Sequence, residues 1–193
     1  MAFSKGKRIE DETSTRIIDL AVNIGCKEGP DALTVTRICK ELNCDRRVIY
    51  NRFRDVDEIN FIVAGRCNEE LIAHAKADIS EGASFEESIQ SFIESAFTYV
   101  YERNAYFQYY TCLYQITEEG IQNEILEELT DMIENGKKNG HINAAKSSTE
   151  AAQSLWVILI GISGILAKHV EYKYQEALST LHFGIEGILK NLI

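Results

Sequence analysis

Between Asp45 and Arg54 the chain carries four arginines, Arg46, Arg47, Arg52 and Arg54, with Tyr50 and Asn51 among them. A guanidinium is a planar fork of donors that matches a phosphate, or the O6 and N7 edge of guanine. Tyr50 and Asn51 add shorter hydrogen-bonding arms on the same segment. The chemistry is that of holding a polyanion, and duplex DNA is the polyanion that also rewards base-edge contacts. An arginine cluster taken alone is usually a solvated face, so the elements around it decide between the two.

A second concentration of side chains lies in NAYFQYYTCLYQI, where Tyr106, Phe107, Tyr109, Tyr110 and Tyr114 crowd one helical stretch. Rings at this density wrap around a helix, so some of them must face something other than the main core. Aromatic walls with a few polar tips are typical of small-molecule sites. Phe92, Phe97, Tyr99, Tyr101, Cys112 and Trp156 are the candidates to complete such a wall, although any one of them could equally be ordinary core. Catalysis finds no foothold. His74, His141, His169 and His182 are not spaced as metal ligands, and no Glu-x-x-His, HExxH, GxSxG or Walker motif occurs. No enzyme activity, cofactor or metal is expected. Five cysteines, Cys26, Cys39, Cys44, Cys67 and Cys112, form an odd set with no CxxC pair, which suits reduced thiols in the cytoplasm.

Helices must position these groups. Apolar residues recur at helical spacing along nearly the whole chain, and Pro30 is its one proline. Thr15–Lys27 is expected as a first helix, with Ile17, Ile18, Ala21, Val22 and Ile24 inward and Gly29-Pro30 as its stop. Thr34 caps a second, with Val35, Ile38, Cys39 and Leu42 on one face. Asn43 suits a tight turn, and Asp45 caps a short third helix anchored by Val48, Ile49 and Phe53. Asp55 and Asp57 open a fourth through about Ile79, and Ser84 opens a fifth through Val100. The aromatic stretch Tyr106–Ile116 is a sixth. A seventh runs from Ile121 and is ended by Gly136 and Gly140, an eighth from Ser147 or Ser148 through Val170, and a ninth from Tyr174 to Ile193. The fold class is all-α, with an N-terminal helix-turn-helix domain over 1–56 and a helical bundle over 57–193. In a helix-turn-helix the second helix enters the major groove and the first crosses the phosphate backbone.

Charge distribution agrees. The formal net charge is −10, yet residues 1–66 hold 12 Lys and Arg against 11 Asp and Glu, while 67–193 hold 8 against 19. The deficit sits away from the arginine segment. The polar start MAFSKGKRIEDE lacks the apolar core of a secretion signal, and the run Leu155–Ala167 is short for a bilayer span, so a cytoplasmic protein without a membrane partner is expected.

Residues 15–59 resemble the N-terminal domain of the TetR/AcrR family of regulators. The likeness rests on Ile17-Ile18, Ala21, Gly29, Ala32-Leu33-Thr34-Val35, Ile38, Tyr50, Phe53 and Glu58-Ile59, which keep the family's spacing without a gap. It implies a three-helix DNA-binding domain followed by an effector-binding and dimerisation domain. A repressor released from a palindromic operator by a small molecule, apolar or aromatic, is the expected activity. By position Thr34, Thr36 and Arg37 would lie near phosphates, and Asp45, Arg46, Arg47, Val48, Tyr50 and Arg52 would line the recognition helix. Three departures stand out. Asn43 replaces the family's turn glycine, Arg46-Arg47-Val48 replaces small residues, and Val56 replaces a lysine whose phosphate contact Arg54 could supply. The alternative is a helical-bundle interaction or ligand-binding protein that no longer reads specific DNA.

The last two helices carry glycine pairs at matching spacing, Gly161/Gly164 and Gly184/Gly187. Glycine weakens a helix by up to about 1 kcal/mol, so paired glycines suggest close backbone approach. The resemblance implies a homodimer built from these two helices of each subunit.

Overall fold

The computed structural model describes residues 9–105, 108, 124–143, 145–168 and 171–192. Helix α1 spans Glu12–Glu28, three residues ahead of the expected start at Thr15. The reason is a capping box. The Asp11 carboxylate accepts from the Ser14 amide at 2.8 Å, and the Ser14 hydroxyl accepts from the Asp11 amide at 2.8 Å. Ile17, Ile18, Ala21 and Ile24 are buried as expected, with Val22 only half-buried. Gly29 ends the helix at φ +86°, which an L side chain rarely adopts, and Pro30 opens a single 3-10 turn, Pro30–Ala32.

Helix α2, Val35–Leu42, starts where Thr34 Oγ1 accepts from the Arg37 amide at 3.1 Å. It ends in a Schellman motif. Asn43 takes the left-handed conformation (φ 49°, ψ 52°), and the Cys44 amide reaches back to the Cys39 carbonyl at 3.0 Å. Helix α3 is only Arg46–Tyr50. Asn51–Phe53 continues as a turn, tied by the Phe53 amide to the Ile49 carbonyl at 2.9 Å, rather than as the helix expected to reach Phe53. Asp45 stands at the N-cap position but accepts no side-chain bond from the helix, contrary to the capping role expected of it. Ile38, Ile49 and Phe53 are fully buried and hold α2 and α3 together. Helix α4, Val56–Ala77, is started by Asp55, whose carboxylate accepts from the Glu58 amide at 2.8 Å.

Among the described residues, contacts gather the chain into two compact units, the first of 9–67 with 105 and 108, the second of 68–104 and the residues from 124 on, so that one division falls inside α4. The first therefore includes helical residues beyond the expected 1–56 span. In the second, the Ser84–Glu87 capping box opens α5, Phe85–Glu102. Then come α6 (Glu124–Lys138), α7 (Ser148–Lys168) and α8 (Tyr174–Leu192). Helix α7 packs against α5, α6 and α8, and α5 also meets α6 and α8. By length and composition 148–166 could cross a membrane, so the short apolar run seen in the sequence understates this helix. Ala152, Leu155 and Leu159 are instead fully buried by its helical neighbours, as in a core helix. The expected sixth helix lies outside the described residues. Fold class and the remaining elements agree with the pattern read from the chain, all eight described helices being α and no strand appearing among the described residues.

Gly140 (φ +78°) terminates α6, but Gly136 does not. It sits inside the helix, buried, where an added Cβ would lie 2.7 Å from the Phe85 ring and 2.9 Å from Ile142. Phe85 in turn stacks on His141 at 6.4 Å between centroids. Gly136→Val is expected to lower unfolding stability by about 1–3 kcal/mol through overpacking, measured by urea denaturation. An equal or higher midpoint would show that Phe85 has room to move.

Candidate functional site

The recognition segment is held from behind. Arg52 Nε donates to Asp11 Oδ1 at 2.9 Å, its Nη2 donates to Asp11 Oδ2, and its Nη1 donates to the Val48 carbonyl at 3.0 Å. Its side chain is only 14% exposed. Expected on the DNA-facing side, Arg52 instead spends its fork on joining the start of α1 to the end of α3. Asp11, 41 residues away, escapes sequence reading because its usual signature is a cap, and nothing local announces a second partner. The Arg52 fork, backed by the Ser14 amide, holds the Asp11 carboxyl well below the usual carboxylate range.

The other arginines divide. Arg46 is exposed and donates from Nη2 to Thr36 Oγ1 at 2.9 Å, which brings two expected DNA-facing groups together across the turn. Arg47 is exposed and its guanidinium makes no ion pair among the described residues. Tyr50, 54% exposed, points outward, while Phe53 at 1% is core, the division the sequence suggests. Val48 is half-buried and Thr34 exposed. Arg37 bridges Glu28 and Glu41, each at 2.9 Å, and Arg54 pairs with Asp55 at 2.6 Å. Neither Arg37 nor Arg54 is therefore poised for a phosphate without first exchanging a carboxylate, so the contact that Arg54 could supply in place of the missing lysine is not preformed. What remains facing outward is a compact group of Thr34, Thr36, Arg46, Arg47 and Tyr50.

In the second unit, a small cleft of about 10 Å³, room for one water, is lined by Phe97, Val100, Tyr101, Asn104, Ser163 and Leu166. Tyr174, not anticipated, stacks on Phe97 at 5.4 Å, meets the Tyr101 ring in a tilted contact at 4.7 Å, and its hydroxyl lies 3.1 Å from Thr98 Oγ1. Of the residues expected around an effector, Phe97 and Tyr101 meet here. Phe92 and Trp156 are buried but do not line this cleft. Tyr106, Tyr109, Tyr110, Cys112 and Tyr114 lie outside the described residues. Two buried polar side chains, Asn68 and Ser163, have no hydrogen-bond partner among the described residues. Buried polar groups are nearly always paired, so these two are exceptions among the described residues. Sequence alone gives no sign of them, since Asn and Ser are ordinary helix-surface residues.

Of the four paired glycines, Gly184 packs within its own chain, where an added Cβ would lie 3.0 Å from Ile158. Gly161, Gly164 and Gly187 face open space. Val157, Ile165 and Phe183 on the same two helices are exposed, Phe183 at 82%.

The chain, whose eight described helices include a five-residue third helix behind a left-handed turn and a long apolar α7, matches solved structures over nearly its full length. A bacterial regulatory protein in the tetR family from Rhodococcus RHA1 superposes with a TM-score of 0.71 at 15% identity, covering 95% of this chain and 98% of that one. The TetR family transcriptional regulator PfmR from Thermus thermophilus gives 0.63 at 17%, covering 91% and 97%. The fold is that of the TetR family. The fatty acid degradation regulator FadR from Bacillus halodurans shares it, with a TM-score of 0.68 at 14% identity over 94% and 97%. No family sequence model matches the chain, and no curated protein matches it. TetR-like architecture is thus kept at identities of 15%, 17% and 14%.

Asp11→Asn keeps an N-cap acceptor while removing the charge that Arg52 grips. Because the folded state lowers the Asp11 pKa, its contribution is full above the ordinary aspartate range and is lost as pH falls. Thermal melts should therefore show wild type ahead of Asp11→Asn near pH 7, with the gap closing below about pH 4. A gap that is constant with pH would show that the fork contributes nothing through charge.

Proposed function

We propose that the protein is a DNA-binding transcription regulator, most simply a repressor, that grips a palindromic operator as a homodimer in the cytoplasm. The carrying observation is the outward group Arg46, Arg47 and Tyr50 on a helix fixed behind an α2–turn–α3 frame. Arg47 has the freedom to fork onto a guanine edge. Arg46, Thr36 and Thr34 are placed to meet phosphates, the first two sharing one hydrogen bond that a phosphate oxygen can join. Arg52 serves as a positioning residue, through Asp11 and Val48.

The helical unit supports the other two parts of the proposal. Val157, Ile165 and Phe183 form exposed apolar ground on α7 and α8, beside glycines with open space. Faces of this kind mark contact with another protein surface. A second copy of this chain is the partner that places two reading helices on one duplex. The cleft beside Phe97, Tyr101 and Tyr174, with an unpartnered Ser163 hydroxyl, supports a small effector that is apolar apart from a hydrogen-bonding group. A neighbour that regulates fatty acid degradation agrees with an apolar effector.

Fluorescence anisotropy with the DNA flanking the gene should give specific binding that weakens steeply with salt. Arg47→Ala should cost about 1–3 kcal/mol on that DNA and much less on scrambled DNA. Equal affinity for both DNAs in the wild type would favour the interaction-protein alternative. Phe183→Glu should turn a dimer into a monomer by light scattering at micromolar concentration, and an unchanged mass would move the interface elsewhere.

A further inference from the structure

Cys39 and Cys44 occupy the C3 and C″ positions of the Schellman motif that makes the helix-turn-helix turn. In this motif the side chains at those two positions characteristically touch. The bond from the Cys44 amide to the Cys39 carbonyl, 3.0 Å, confines the two Cα atoms to within about 7 Å by ordinary backbone dimensions. That separation lies in or close to the range a disulfide spans. Both thiols are free and partly exposed, so a small oxidant can reach them. Burial, then the neighbouring Cys39 sulfur, push the Cys44 thiol up. Cys44 is therefore assigned the second, resolving step rather than the attack on the oxidant.

We propose that Cys39 and Cys44 form an oxidation site in which a hydroperoxide closes a disulfide across the turn and disarms the recognition helix. The Cys39 thiolate attacks the peroxide, the O–O bond breaks, and water leaves once the departing oxygen is protonated, giving a sulfenic acid. The Cys44 sulfur then displaces the hydroxyl from the Cys39 sulfur as a second water. Two thiols lose two electrons and two protons, and one hydrogen peroxide becomes two waters. Bonded sulfurs stand about 2.05 Å apart, closer than two unbonded thiols can approach. Closing that gap pulls on Asn43, Cys44 and the Asp45–Arg46 start of α3. A five-residue helix has little of its own hydrogen bonding with which to resist. Thiol reductants reverse the change.

The effect on DNA rests on the proposed operator binding, whereas disulfide formation does not. Full-length protein is treated with hydrogen peroxide and alkylated, then digested with trypsin, which cuts at Arg37, Lys40 and Arg46. Mass spectrometry should find Ile38–Lys40 linked to Glu41–Arg46, with the link lost on dithiothreitol. Amide exchange over 45–51 should rise in the oxidised form. Operator affinity should fall about tenfold or more, the scale of losing a base contact, and return with reductant. Cys44→Ala should bind DNA like the reduced wild type and ignore peroxide. Absence of the linked peptide under conditions that alkylate both thiols in untreated protein overturns the site. A linked peptide with unchanged exchange at 45–51 overturns the control of α3. Reduced protein that binds no operator refutes the regulator proposal, and the peptide and exchange results still decide this one.

Discussion

A helix of five residues cannot hold itself. It forms too few internal hydrogen bonds to offset the entropy of ordering them, so α3 must be imposed by its surroundings. Three constraints impose it. Asn43 in the left-handed conformation turns the chain out of α2, Ile49 and Phe53 anchor the inner face in the core, and Arg52 ties the far end to Asp11. The outer face is left with Arg46, Arg47 and Tyr50. The basic cluster that draws attention in the sequence is thus two populations: Arg46 and Arg47 leave the short helix outward, whereas Arg52 and Arg54, in the segment after it, are tied to Asp11 and Asp55.

This division resolves the apparent conflict between a chain of net charge −10 and a nucleic-acid partner. Ion pairs of Arg37 with Glu28 and Glu41 and of Arg54 with Asp55 neutralise the flanks. Such exposed pairs are weak individually and exchange readily for phosphates. Arg46 and Arg47, outside these pairs, are outward guanidinium groups with no carboxylate to give up among the described residues. In the helical unit the corresponding tension is between a well-filled core and the two buried polar side chains, Asn68 and Ser163, that the core leaves without partners among the described residues.

What could be read from the sequence was what local chemistry decides. Thr34 and Ser84 declare helix starts through their caps, Gly29 and Asn43 declare turns, and the periodic apolar residues declare burial, so the all-α fold and most helix limits were legible. What was not legible depends on distant partners. Asp11 reads as a polar residue in a charged leader until Arg52 meets it. Gly136 reads as a helix stop, yet its missing side chain makes room for Phe85, 51 positions earlier in the chain and therefore invisible to any local pattern. Of the glycine pairs, a spacing could not distinguish Gly184, packed on Ile158, from Gly161 in open space. Of the stretch that first suggests an effector site, none of the aromatic residues lies among the described ones and Asn104 lines the cleft, while Tyr174, from the last helix, meets the cleft's Tyr101 ring.

The proposed regulator offers two short, externally clamped helices, one from each copy, to one face of a duplex. Hydroxyl-radical footprinting of full-length protein on the DNA upstream of its gene tests this arrangement most directly. The expected result is two protected patches on one face, about 10–10.5 bp or a multiple apart, related by inverted symmetry. Uniform protection that follows no symmetry, or none at protein concentrations that saturate in solution, would contradict it.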